Sequence, residues 1–126
     1  MNINCEVINI SSVNKKDIDY STVIFKVDFP GKMDIETSND FWVLFHTLVG
    51  GGAKKIVVNM GEVEYIDSAG IGILINTAKM LRKEEGDLVI SNVKEGVKVV
   101  LDVINLEKFI KFFNTEVEAV NHFRYL

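Results

Sequence analysis

The residues best placed to do chemistry lie together in one segment, Val57-Val58-Asn59-Met60-Gly61-Glu62-Val63-Glu64-Tyr65-Ile66-Asp67-Ser68-Ala69-Gly70-Ile71-Gly72-Ile73-Leu74, which reads as a buried strand passing into a helix. The first N–H groups of a helix have no partner within it, and the small residues Ser68, Ala69, Gly70 and Gly72 leave them open to approach from outside. A docking group fits such a mouth. The plainer alternative is that Asp67 or Ser68 only caps the helix while the glycines permit close packing. Ser68 does not read as a hydrolytic nucleophile, because Ile66-Asp67-Ser68-Ala69-Gly70 lacks the glycine two before the serine, and only His46 and His122 offer a base. We assign no catalytic residue.

Other combinations carry less. Gly50-Gly51-Gly52-Ala53-Lys54-Lys55 suggests a phosphate loop, but it precedes a strand and lacks the Gly-Lys-Ser/Thr ending, so a helix-to-strand turn is expected. Cys5 is the single cysteine, and with two histidines it supplies too few soft ligands for zinc. Neither a metal nor a cofactor is expected, and Cys5 reads as a small apolar strand residue. Glu62 and Glu64 alternate with Val63 and Tyr65, which predicts acid outward and apolar side chains inward rather than a catalytic carboxylate pair. His46 and His122 read as surface or edge residues of the first and last helices. Lys94, Glu95, Lys98, Glu107 and Lys108 read as a solvated surface of mixed sign.

Several elements must position the Ser68 segment. Val23, Phe25, Val27 and Phe29 alternate with other residues, as in a strand with one buried face, and Ile3, Cys5 and Val7 alternate likewise. Residues 11–20 are polar and predict a long exposed connection. Pro30-Gly31 stops the second strand. Thr37, Ser38, Asn39 and Asp40 offer N-caps for a helix whose Phe41, Leu44, Phe45 and Leu48 share a face and which ends at Gly50-Gly51-Gly52. Trp42 and Val49 fall off that face and would form an exposed apolar patch or meet a neighbouring loop. Ile56-Val57-Val58 and Leu88-Val89-Ile90 do not alternate, as expected of central parallel strands.

Ile71, Leu74, Ile75, Ala78 and Leu81 define the clearest helix, residues 68–85, with Gly86 where a C-terminal cap belongs. Val93, Val97, Val100, Leu101 and Ile104 suggest a third helix, followed by a short strand near Phe109 to Phe113. Thr115-Glu116-Val117-Glu118 predicts a capping box opening a fourth. The expected fold class is α/β: one domain over residues 1–126, with a mixed, mostly parallel sheet and about four helices packed on it.

At 126 residues the chain has room for one core. No apolar run approaches the roughly 20 residues that cross a bilayer, and Met1-Asn2-Ile3-Asn4-Cys5-Glu6 is no secretory leader, so a soluble cytoplasmic protein without membrane contact is expected. Eighteen acidic against 14 basic residues give a net charge of -4, the wrong sign for gripping nucleic acid.

Asp67-Ser68-Ala69-Gly70-Ile71-Gly72, after Asn59-Met60 and Val63-x-x-Ile66, resembles the signature of the STAS domain carried by bacterial anti-sigma factor antagonists. Gly31-Lys32-Met33-Asp34 followed by Thr37 resembles the family's glycine-x-hydrophobic-aspartate motif, and both occur in the expected series of elements. The resemblance implies a non-enzymatic partner switch. The antagonist binds a serine-kinase anti-sigma factor, frees a sigma factor, is phosphorylated on the serine after the aspartate, here Ser68, and is reset by a protein serine phosphatase. It also implies that Gly31, Met33, Asp34, Thr37, Asp67, Ala69, Gly70, Ile71 and Gly72 lie on or support the surface meeting the kinase, with Asp67 orienting the loop. Lys32 stands where many relatives have an acidic or polar residue, and Ala69 where a second serine or threonine is common, which singles out Ser68. Two alternatives remain at this point: a STAS accessory subunit of a transport or lipid-trafficking complex, and a nucleotide-binding module using the Ser68 loop. Oligomeric state is left open.

Overall fold

The computed structural model describes residues 3–9 and 23–124. The connection expected over residues 11–20 lies outside them. The elements run β1 (Asn4–Asn9), β2 (Val23–Asp28), β3 (Gly31–Met33), α1 (Ser38–Gly50), β4 (Lys55–Asn59), β5 (Val63–Ile66), α2 (Ser68–Lys83), β6 (Asp87–Ser91), α3 (Glu95–Val103), a 3-10 turn (Leu106–Lys108), β7 (Lys111–Phe113) and α4 (Glu116–Arg124). Five strands form one sheet in the order β1-β2-β4-β6-β7. β1 is antiparallel to β2, and the other neighbours are parallel. β3 and β5 form a separate parallel pair.

The two apolar runs are central strands, and their alternate residues serve different cores. Ile56, Val58, Leu88 and Ile90 face the large core under α1, α2 and α3, whereas Val57 and Val89 face Ala119, Val120 and Phe123 of α4. Burial on both faces removes the need for polar alternation. Phe29 fills the large core beside Phe41 and Phe45, with ring centroids 4.4 and 5.5 Å away in edge-to-face arrangements.

Some expectations change. β2 is covered on both faces, because Ile24 packs under α4 while Val27 and Phe29 pack on the other side. At the sheet edge, Cys5 and Val7 are exposed instead of forming a buried row. Desolvation, then the nearby Asp28 and Glu6 carboxylates, push the Cys5 thiol above its ordinary value, which disfavours the reactive thiolate. Pro30-Gly31 does follow the end of β2 at Asp28, as expected, but Gly31 at once opens a further strand, β3, with φ +67° and its N–H donating to Glu62 O at 2.9 Å. Tyr65 is 51% exposed despite its expected inward position. In α3 only Val97 and Leu101 are buried, while Val100 and Ile104 are exposed. Val49 packs against the core after all.

The end of α2 separates two roles that sequence merges in Gly86. Glu85 takes the left-handed conformation (φ +63°), and the N–H groups of Gly86 and Glu85 donate to Leu81 O (2.7 Å) and Arg82 O (3.2 Å), closing a Schellman motif. Gly86 is needed for space, since a Cβ there would lie 2.1 Å from Lys54 O. The capping box of α4 is half formed: Glu118 N donates to Thr115 Oγ1 at 3.2 Å. Glu116, which is not a member of the box, makes a different contact.

That contact is an ion cluster at the carboxyl ends of β2 and β4. Lys26, nine-tenths buried, places Nζ 3.3 Å from Glu6, 3.4 Å from Asp28 and 3.3 Å from Glu116, and Glu116 also accepts from Asn59 Nδ2 at 2.7 Å. Burial lowers the Lys26 pKa. Its hydrogen bond to Glu116, the charges of Asp28 and Glu116, and its hydrogen bond to Glu6 outweigh this, so the ammonium is held above the ordinary value of 10.5. The cluster ties the first turn of α4 to the sheet. A group whose folded pKa is raised contributes stability in full below its unfolded pKa and loses it as pH rises through the folded value. Denaturation of wild type and Lys26→Met between pH 8 and 12 should therefore show a stability difference that is constant below about pH 10 and shrinks above it; a pH-independent difference would contradict the cluster's role.

Candidate functional site

Ser68 is the first residue of α2, and its side chain is exposed. The choice that sequence leaves open between Asp67 and Ser68 as cap is settled by geometry: Asp67 has extended backbone, and its Oδ1 accepts from Ala69 N at 2.9 Å and Gly70 N at 3.2 Å. The Ser68 hydroxyl is therefore not the cap. Asp67 Oδ2 reaches across to accept from Ile35 N at 3.1 Å, and Asp67 N donates to Met33 O at 3.1 Å. One residue thus joins the two motifs.

The other motif is built around a second aspartate. Asp34 Oδ1 accepts from Glu36 N (3.0 Å), Thr37 N (3.1 Å) and Thr37 Oγ1 (3.2 Å), and Thr37 Oγ1 lies 2.9 Å from Lys32 O. Asp34 N in turn donates to Thr37 Oγ1 at 3.0 Å. Thr37 stands at the N-cap position of α1, but its side chain turns back into this loop and makes no cap bond to the helix. Asp34 and Thr37 together hold Ile35, 72% exposed, beside the start of α2.

The structure sorts the candidate residues by position. Met33 and Gly70 are buried and so lie behind the accessible residues of the two motifs. A Cβ on Gly70 would lie 2.4 Å from Met33 O, so glycine is what lets α2 rest on β3. Gly31 is set by its positive φ, and Ile71 packs partly against the core. Ser68 is exposed, and Asp34, Thr37, Asp67, Ala69 and Gly72 are partly accessible. At Gly72 a Cβ would meet nothing within 4 Å. The strand leading into α2 is β5 rather than the buried β4.

His46 is exposed on α1. His122 is half-buried between Phe113 and Phe123, with its pKa lowered first by burial and then by Lys111, against an opposing contribution from Asp87. Among the described residues no group of three His, Cys, Asp or Glu side chains is placed to hold a metal, and no helix is long and apolar enough to cross a membrane. An opening of about 560 Å³ at the strand ends is lined by Lys26, Asp28, Asn59 and Glu116, but its lysine is already paired with carboxylates.

Removing the Asp67 carboxylate strips three backbone donors of their acceptor. Asp67→Ala should lower unfolding free energy by about 1–2 kcal/mol in denaturant titration, with raised amide exchange at Ile35 as well as at Ala69 and Gly70; unchanged exchange at Ile35 would refute the link between loops. Gly70→Ala should cost roughly 1–3 kcal/mol by forcing α2 off β3, read from the same titration.

Comparison with known proteins agrees with this architecture. Residues 12–119 match the STAS domain. A Thermotoga maritima protein named as a candidate anti-sigma factor antagonist is 30% identical over 95 residues, covering 74% of this chain and 83% of that one. The crystal structure of a Thermotoga maritima protein described in the same way superposes with a TM-score of 0.77 at 25% identity, covering 86% and 92% of the two chains. The phosphorylated form of the Bacillus cell fate determinant SpoIIAA shares the fold, with a TM-score of 0.62 at 19% identity and coverage of 79% and 89%. With its four helices on a mixed, mostly parallel sheet and its two aspartate-centred motifs, the chain belongs to the STAS domain family.

Proposed function

We propose that this protein is a cytoplasmic anti-sigma factor antagonist that works by partner switching. Its unmodified surface around Ser68 binds a serine-kinase anti-sigma factor and thereby frees a sigma factor. The kinase transfers the γ-phosphoryl group of ATP to Ser68 Oγ, the hydroxyl proton leaves to a kinase base, ADP is released, and the modified surface no longer holds the kinase. A protein serine phosphatase hydrolyses the phosphate and restores binding. The observation that carries this reading is an exposed serine hydroxyl at the start of a helix whose cap is already supplied by Asp67.

Magnitudes favour a switch in binding over a switch in fold. A phosphate adds about -1.5 to -2 charges and three acceptor oxygens. At a helix N-terminus an anion is stabilised by about 0.3–1 kcal/mol, so α2 tolerates it. Pressed against an acidic or apolar partner surface, the same charge costs several kcal/mol, and each ~1.4 kcal/mol is tenfold in affinity. Relatives named as anti-sigma factor antagonists and the phosphorylated form of SpoIIAA support the assignment. Asp34, Thr37, Asp67, Ala69 and Gly72 would meet the kinase or fix the loops that do, with Gly31, Met33, Gly70 and Ile71 behind them.

Incubation with the cognate kinase and ATP should add a single phosphate, mapped to Ser68 by mass spectrometry and absent from Ser68→Ala. Ser68→Glu should weaken kinase binding by roughly tenfold or more in calorimetry while its thermal unfolding stays close to wild type. Phosphate at another residue, or equal binding by Ser68→Glu, would overturn the assignment.

A further inference from the structure

Gly72 lies inside α2 without a positive φ, and a Cβ built on it would meet nothing within 4 Å. Neither backbone nor packing calls for glycine at this position, in contrast to Gly70, where a Cβ would lie 2.4 Å from Met33 O. Glycine inside a helix is disfavoured against alanine, because it gives up more conformational freedom on folding. On helix stability alone, residue 72 should carry a side chain.

Helix geometry sets what that side chain would cover. Steps of about 100° per residue place residue 72 about 40° around from Ser68 and one turn beyond it. Cα–Cβ bonds tilt toward the helix N-terminus, so a side chain covers the surface over the turn before its own, and Cβ atoms four residues apart lie about 5–6 Å from each other. A long side chain at residue 72 would therefore lie over the Ser68 hydroxyl. The other residue able to lean on Ser68 from the next turn is Ile71, three residues on, and it packs against the large core instead. Asn76 and Lys79, farther along the same face of α2, carry exposed side chains, so the face is bare only in the turn beside Ser68.

We infer that Gly72 is a positioning residue for phosphoryl transfer: by lacking a side chain it keeps Ser68 Oγ open to the kinase, and the phosphate on that oxygen open to the phosphatase, at a cost in helix stability. The inference rests on the partner-switch reading and gives Gly72 a role other than contact with the partner. It acts through Ser68 alone, so one substitution slows both the forward and the resetting reaction.

Gly72→Ala, Gly72→Gln and Gly72→Leu are compared with wild type and with Gly96→Gln. Gly96 is an equally open position in α3, with no hydroxyl one turn before it. Each protein is phosphorylated with purified cognate kinase and ATP. Separately, each is made with phosphoserine introduced at residue 68 during translation and is dephosphorylated by the cognate phosphatase. In both reactions kcat/KM should fall with side-chain length, by about two- to threefold for Gly72→Ala and tenfold or more for Gly72→Gln and Gly72→Leu, while Gly96→Gln matches wild type. The urea midpoints of the Gly72 variants should hold or rise, so that stability and rate move in opposite directions. Gly72→Gln keeps the test decisive should Gly72→Leu aggregate. Equal losses for Gly72→Ala and Gly72→Leu, or a loss confined to the kinase reaction, would mean that the partner rests on bare backbone at residue 72; either result overturns the inference and leaves the switch standing. Full activity of the Gln and Leu variants in both reactions, or lowered urea midpoints, would overturn it as well. If wild type is not phosphorylated on Ser68, the switch reading falls and takes this role of Gly72 with it.

Discussion

The Asp67 carboxylate is the contact on which the proposed partner surface depends. Its two oxygens serve three backbone donors from two separate loops, and its own N–H returns to β3 through Met33 O. A charged acceptor strengthens each of these bonds, and its place at the start of α2 sets it favourably against the helix dipole. Remove the carboxylate and α2 loses its cap while the loop holding Ile35 loses its anchor. Gly70 is the steric half of the same constraint, because only without a Cβ does the first turn of α2 come close enough to Met33 for Asp67 to reach both loops.

Ser68 stands outside the side-chain contacts that secure the fold. Lys26 and its carboxylates bind α4 to the sheet on the face opposite α2, and the phenylalanines Phe29, Phe41 and Phe45 lock α1 into the large core. Neither set includes Ser68. An added charge at the start of α2 therefore leaves the principal stabilising contacts untouched, as a reversible modification requires.

Legibility in the sequence followed the length and solvent contrast of each element. The central strands and α2 were readable because a run such as Ile56-Val57-Val58 or the Ile71–Leu81 stripe has few alternative packings. The short strands β3 and β5 were not, since three or four residues show little periodicity and their pairing is a long-range event. In α3 the stripe containing Val97 and Leu101 is real, but Val99, Val100, Val103 and Ile104 are also apolar, so composition alone does not define the buried side. The site motifs were legible as a resemblance. Which aspartate oxygen bonds which loop was not, because nothing in the spacing of Asp67 and Ile35 reveals that 32 residues fold back to a 3.1 Å contact.

Asp67 also bears on how a phosphate at Ser68 acts. In many anion sites at helix starts the free N–H groups enclose the anion and draw it inward. Here the N–H groups of Ala69 and Gly70 are already engaged by a carboxylate, and that of Ile71 by the Asp67 carbonyl at 3.0 Å. A phosphate on Ser68 therefore lacks this pocket of donors to fold into and projects toward solvent beside an existing negative charge. Its oxygens remain hydrated while the surface is free, and that hydration must be stripped when a partner closes over it. In the proposed switch the energetic cost would accordingly fall on the complex rather than on α2, and the same cap that leaves the serine hydroxyl available would keep a modified form from hiding its charge.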